Sequence, residues 1–227
     1  MAIPGTLPTK RDQIIDELRQ LILSGELARG SRLPQDELAR RFQSSITPVR
    51  EGLRALEAEG LVVSEPHRGV RVAGIDFERV TAMYIVRRLV EGFAIQRAAI
   101  RLSPHELKRA EQLLTALDDA TARHDAEAAR DINKKFHFFL YERCGIPALV
   151  DEIAALWRVF PWDLLLDSQE PAEESETEHR AILEAVRAGD AEAAGDALGH
   201  HLSRSFLALT LRYTGEQTED PFEIDNE

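Results

Sequence analysis

GSRLPQDELARRFQSSITPVREGLRALEAEGLVVSEPHRGVRV, residues 30–72, changes its apolar period partway along. Leu38, Ala39 and Phe42 fall on one side of a helix, which predicts a short helical segment over 35–42. Thr47-Pro48 then supplies a helix start, with Thr able to cap and Pro suited to the first turn. Val49, Leu53 and Leu56 carry a buried stripe towards Gly60, where the helix stops. Beyond it the helical period is lost. Leu61-Val62-Val63 and Val70-Arg71-Val72 are β-type runs joined by the turn-like SEPHRG, so together they predict a hairpin. Upstream, Ile14, Ile15, Leu18, Leu21 and Ile22 share one face of a helix over Lys10–Ser24, stopped by Gly25. Three helices followed by a two-stranded hairpin make a winged helix-turn-helix, here assigned to residues 1–74.

From Ile75 onward no strand pattern interrupts the helical one. Helices are predicted at 77–101, 104–121, 126–144, 147–166, 176–188 and 191–213, with a capping box at Ser103–Glu106 and a cap at Asp190. Short connections of this kind belong to a helical bundle, residues 75–214. The fold class is therefore mainly α, a winged helix-turn-helix followed by an all-helical bundle. The remaining 215–227 is acidic and aperiodic, which predicts a disordered tail.

At 227 residues, 44% hydrophobic and 30% charged, the chain has the composition of a soluble globular protein. No apolar run is long enough to span a membrane, and the first residues, MAIPGTLPTK, lack the apolar core of a signal peptide, so a cytoplasmic location is expected. The single Cys144 excludes a disulfide framework and a thiolate cluster. The net charge of −12 is uneven: residues 1–74 carry +1 and residues 75–227 carry −13. Nucleic-acid binding by the near-neutral head would rest on a local stripe of Arg rather than on overall charge.

The second helix of a helix-turn-helix enters the major groove, and its first turn must offer hydroxyls and an Arg to phosphates and base edges. Here that turn reads Ser44-Ser45-Ile46-Thr47-Pro48-Val49-Arg50-Glu51. Taken alone, Ser45 and Thr47 could equally be helix caps, and Arg50 a surface residue paired with Glu51 or Glu57. Over its whole length, however, the 30–72 stretch resembles the winged helix-turn-helix of the GntR family of bacterial transcription regulators. The resemblance implies that Ser45, Thr47 and Arg50 contact DNA from the recognition helix, that Arg32 contacts phosphate, and that the wing residues His67, Arg68 and Gly69 reach the minor groove. Where the family usually has Arg after the Ser, this chain has Ile46. Ile cannot bind guanine bidentately, so contact with a thymine methyl replaces it in this reading.

Seven histidines divide by helical position. His179 lies with Ile182, Leu183 and Val186, His201 with Ala194, Leu198 and Ala208, and His137 with Phe136 and Leu140, so three predicted helices each aim an imidazole inward. His105, His124 and His200 fall in a capping turn, in a polar loop and off the apolar face. Each inward ring needs a partner, which is either an ordinary core hydrogen bond or a divalent metal satisfying all three at once. The segments YIVRRLVEGFAIQRAA, NKKFHFFLYERCG, EHRAILEAVRAGDAEAA and HHLSRSF are similar, in order and spacing, to the FCD ligand-binding domain of one GntR subfamily. That resemblance implies a metal held by Asn133, His137, His179 and His201, zinc or nickel suiting imidazole ligands best. Asn133 is neutral where the subfamily commonly has Asp, which predicts a weaker site.

Arg87 falls on the inward face with Val80, Met83, Val90 and Ala94, and a buried guanidinium must be paired. Glu91, one turn later, is one partner; the resemblance implies a second, the carboxylate of an acidic effector. Trp157 and Phe160 either wall such a pocket or pack the core. The expectation is a repressor that binds double-stranded operator DNA as a homodimer and is released by a small organic acid. The alternatives are a metal-free sensor of the acyl-CoA type and a three-His metalloenzyme, the latter without a placed general base.

Overall fold

The computed structural model describes residues 9–66, 68–160 and 172–223. Two compact units are present, the first ending at Asp76 and the second beginning at Phe77.

In the first unit, α1 (Lys10–Leu23) opens on a capping box in which Thr9 and Asp12 satisfy each other's backbone N–H. It is followed by α2 (Gln35–Arg41), α3 (Ile46–Ala58), β1 (Val62–Glu65) and β2 (Gly69–Val72). The strands pair antiparallel, with Val62 opposite Val72 and Glu65 opposite Gly69. Ile14, Leu18 and Ile22 of α1 meet Val49, Leu53 and Leu56 of α3 in a core closed by Leu33, Leu61 and Val72. Each such side chain contributes about 1.5–3 kcal/mol by leaving water. Gly52 of α3 faces α1, where a Cβ would reach contact distance, 3.4 Å, from both Ile14 and Ile15. Arg19, buried at 5% exposure, clamps the α1–α3 pair by donating to both carboxylate oxygens of Glu59 at 3.0 and 2.8 Å.

Two details differ from the sequence expectation. α3 starts at Ile46 with Ser45 as its N-cap, and the Ser45 hydroxyl makes no capping bond. Pro48 still falls within the first turn, where a missing N–H leaves no hydrogen bond unmade. In addition, the loop before α2 runs along β2: Leu33 N–H donates to Val70 O, Gly30 N–H to Val72 O, and Val72 N–H to Ser31 O. Backbone pairing of this kind carries no sequence period, so the patterning of residues 30–33 could not reveal it.

The second unit comprises α4 (Phe77–Ala99), α5 (Pro104–Ala122), α6 (Ala126–Tyr141), a 3-10 turn at Glu142–Cys144, α7 (Pro147–Val159), α8 (Ala172–Ala188) and α9 (Ala191–Thr214). α5 begins on the Ser103–Glu106 capping box, and Asp125 and Asp190 cap α6 and α9. Phe136, Leu140, Tyr141, Ile95, Ile153 and Ile182 are among its fully buried side chains. α4 approaches α9 closely at two glycines: a Cβ on Gly195 would lie 2.5 Å from Gln96, and one on Gly199 3.2 Å from Arg88. α7 ends at Val159, short of the predicted 166, and the rest of that prediction lies outside the described residues. Among the described residues no helix is long and apolar enough to cross a membrane.

Composition predicts a disordered tail over 215–227, of which 224–227 lie outside the described residues; in the described part, Asp220 and Phe222 return to the bundle. Asp220 is 7% exposed and accepts from Tyr84 Oη at 2.9 Å, Arg88 Nη1 at 2.6 Å and Ser203 Oγ at 2.6 Å. The Arg88 guanidinium also lies over the Phe222 ring at 4.2 Å. One part-buried ion pair with an aromatic cover therefore outweighs the acidic, aperiodic character of the segment.

Candidate functional site

On the first unit, Ser45, Ile46, Thr47 and Arg50 are exposed at the start of α3, while Val49 and Leu53 of the same helix face the core. Arg50 Nε donates to Gln35 Oε1 at 3.3 Å, which ties the first turn of α3 to the first turn of α2. Both Nη groups are thereby left to other acceptors. Arg32 is exposed beside β2, where it forms an antiparallel bridge with Arg71. At the wing, Gly69 is exposed with φ 81°, and the exposed Arg68 lies 3.8 Å from Glu65. His67 lies outside the described residues. The described members of the sequence-derived set are thus all at the surface, with Ser45 not spent on its cap.

The second unit brings together the three histidines that helical position singled out. His137 of α6, His179 of α8 and His201 of α9 are 1%, 3% and 8% exposed, and each offers a ring nitrogen within 4.8 Å of the others. His137 Nε2 and His179 Nε2 are 3.1 Å apart. Two imidazole nitrogens bound to one zinc at about 2.0–2.1 Å would lie roughly 2.9–3.4 Å apart, so the spacing suits a shared cation. Asn133 stands one turn before His137, and its Oδ1 is buried with no hydrogen-bond partner. The three imidazoles therefore fit a divalent ion, and the Asn133 amide oxygen is unengaged. His105, His124 and His200 are exposed.

Around the rings lies a second layer. Tyr141 Oη donates to Glu91 Oε2 at 2.6 Å and lies 3.2 Å from His137 Nδ1. Glu178 accepts from His201 Nδ1 at 2.8 Å and from Arg204 Nε. Glu91, fully buried, also accepts from Arg87 Nε at 2.6 Å and Trp157 Nε1 at 2.9 Å. Arg87 is 5% exposed, with its guanidinium over the rings of Trp157 and Phe160 at 5.0 and 4.5 Å. The pairing with Glu91 read from the sequence is present, and the two aromatic residues form a wall against the guanidinium.

Burial sets the charge states. It pushes His137 and His179 well below the ordinary histidine range; the other rings of the cluster add to this, with Arg87 acting on His137 and Arg204 on His179. These two rings are neutral at physiological pH and can offer lone pairs. The Tyr141 phenol is pushed well up by burial and by the charge and hydrogen bond of Glu91. Burial alone would raise the Glu178 carboxyl, but hydrogen bonds from His201 and Arg204 hold it below its usual value.

Sequence reasoning did not single out Tyr141, Glu178 or Arg204. Tyr141 was accessible, since it follows His137 by four residues on the same helix face. Glu178 was not: it pairs with a histidine 23 residues away on another helix, and only packing brings the two together.

The sequence profile described as "FCD domain" matches residues 82–204, and that of "Bacterial regulatory proteins, gntR family" matches residues 10–72. The chain is 28% identical over 219 residues to the HTH-type transcriptional regulator McbR of Escherichia coli K12, covering 93% of this chain and 99% of McbR. It is 28% identical over 211 residues to a probable D-xylose utilization operon transcriptional repressor of Paenarthrobacter nicotinovorans, covering 92% of each. The solved structure of E. coli McbR/YncC superposes with a TM-score of 0.76 at 27% identity, covering 91% of this chain and all of the other.

Proposed function

The chain belongs to the gntR family of bacterial regulatory proteins, with an FCD domain in its second unit, and from that premise we propose a metabolite-released repressor. As a homodimer it holds a pseudo-palindromic operator through Arg32, Ser45, Thr47, Arg50 and the wing residues His67, Arg68 and Gly69. It lets go when a small organic acid enters the pocket around His137, His179, His201, Asn133 and Arg87. GntR-type regulators are transcription factors rather than enzymes, so the pocket serves recognition.

The observation that carries the sensing half is the convergence of three buried imidazoles. Three nitrogens this close, with two rings held neutral, are better satisfied by one cation than by one another. They count against the metal-free acyl-CoA type. A zinc or nickel ion held by His137, His179, His201 and Asn133 would supply a Lewis-acidic centre for a carboxylate. Arg87, lying between the Glu91 carboxylate and two aromatic faces, would orient that carboxylate by its fork.

Two-fold pairing is supported by α4, where Val86, Leu89 and Phe93 are 42–58% exposed along one helix. Large apolar side chains repeated this way are what a second copy of the same helix would cover. The test is metal analysis of the purified chain, followed by a thermal-shift screen of organic acids with and without chelator. One acid should raise the melting temperature only when the ion is present, and the same acid should dissociate operator DNA in a gel-shift assay. Chelator-insensitive stabilisation by every active acid would remove the ion from the reading.

A further inference from the structure

We propose that Tyr141 and Glu178 are positioning residues that present His137 and His201 to a cation through Nε2, and that His179 is the ring that changes tautomer when the ion enters. This rests on the reading of the histidine cluster as a cation site.

The argument is one of hydrogen-bond direction. The Glu91 carboxylate, paired with Arg87 at 2.6 Å, can only accept, so the Tyr141 proton 2.6 Å from its Oε2 belongs to that bond. The phenol oxygen then has only lone pairs for His137, and Nδ1 of that ring must be the donor across 3.2 Å. A neutral imidazole with its proton on Nδ1 carries a lone pair on Nε2, the atom aimed at His179. His201 is set in the same way. Glu178 accepts its Nδ1–H at 2.8 Å and takes Arg204 Nε on its other oxygen, so Nε2 is the nitrogen of His201 left to face a cation.

His179 differs. Its Nδ1 is buried with no hydrogen-bond partner, and its Nε2 lies 3.1 Å from that of His137. With a lone pair on His137 Nε2, a hydrogen bond at that distance requires the proton on His179 Nε2. Ligation through Nε2 requires the proton to move to Nδ1. Two rings are thus set in advance, and one pays the rearrangement. Outer acceptors of this kind fix ring orientation and raise ligand basicity.

The test uses the full-length chain stripped with chelator. Long-range nitrogen–proton NMR of the wild type should show Nδ1–H for His137 and His201 and Nε2–H for His179, with His179 switching to Nδ1–H on zinc addition. Tyr141→Phe should return His137 to Nε2–H and weaken zinc and nickel binding by about 10–100-fold, and Glu178→Ala should do the same through His201. A role in packing alone would leave the tautomers where they are. Nε2–H on His137 in the wild type, or affinity within about twofold of wild type in both variants, overturns the proposal, against the 10–100-fold expected of such partners. Failure of the wild type to take up either ion overturns the cluster reading as well.

Discussion

Replacing Asn133 by Asp turns a neutral oxygen into a charged one a single helical turn before His137, and its sign of effect depends on the ion. Without a cation, the new carboxylate occupies the place of an amide oxygen that is already buried and unpartnered. Leaving such a group unsatisfied costs about 1–3 kcal/mol. At roughly 2–4 °C per kcal/mol for a chain of this size, the melting temperature in chelator should fall by about 2–12 °C. With a divalent ion bound, the carboxylate adds an attraction that the neutral amide oxygen cannot supply. Desolvation of the carboxylate takes back several kcal/mol of this. A net gain of about 1.4–2.7 kcal/mol corresponds to ten- to hundredfold tighter ion binding. Calorimetric titration with zinc and nickel, paired with melting curves in chelator and in excess ion, reads both halves. The variant should melt below wild type in chelator, and the gap should close or reverse in excess ion. A melting temperature lowered in both conditions, with unchanged ion affinity, would show that the histidines pack the core and that Asn133 faces no cation.

Alanine at His137, His179 or His201 should each lower ion occupancy, whereas His200→Ala, whose side chain is 76% exposed, should leave it unchanged by metal analysis. Arg50→Ala should weaken operator binding by about 1–3 kcal/mol in a gel-shift assay, more than any single change in the second unit if it reads a base. Operator affinity should also fall by about a hundredfold or more between roughly 50 and 200 mM salt, because phosphate contacts release counterions whatever the net charge of the chain. Burial holds His137 and His179 below the unfolded value of 6.5, so the unfolded chain takes up protons first as pH falls. Stability in chelator should be full above about pH 7 and decline below about 6.5 by up to about 1.4 kcal/mol per pH unit for each ring. Denaturant curves at about pH 7.5 and 5.5 that coincide would contradict the burial of two neutral imidazoles.

Local patterning was enough to place α1, α2 and α3, the hairpin after Gly60 and the helices of the second unit, because a 3.6-residue or two-residue apolar period is written into neighbouring residues. It also picked out His137, His179 and His201 from seven histidines, since the inward face of an amphipathic helix is a local property. The DNA-facing residues were legible for a related reason: exposure of Ser45, Thr47 and Arg50 follows from the positions of Val49 and Leu53 on the same turns. What only the tertiary structure decided is which partner each buried polar group finds. The strand-like pairing of residues 30–33 with β2 depends on main-chain atoms that every residue shares. Asp220 left an acidic tail because Arg88, Tyr84 and Ser203 converge on it from two helices. The direction of the Glu91–Tyr141–His137 bonds, and hence which ring nitrogen faces a cation, arises only where α4 and α6 pack against each other. Periodicity records which face of a helix turns inward, and hydrogen-bond satisfaction in the core depends on what arrives from other helices to meet it.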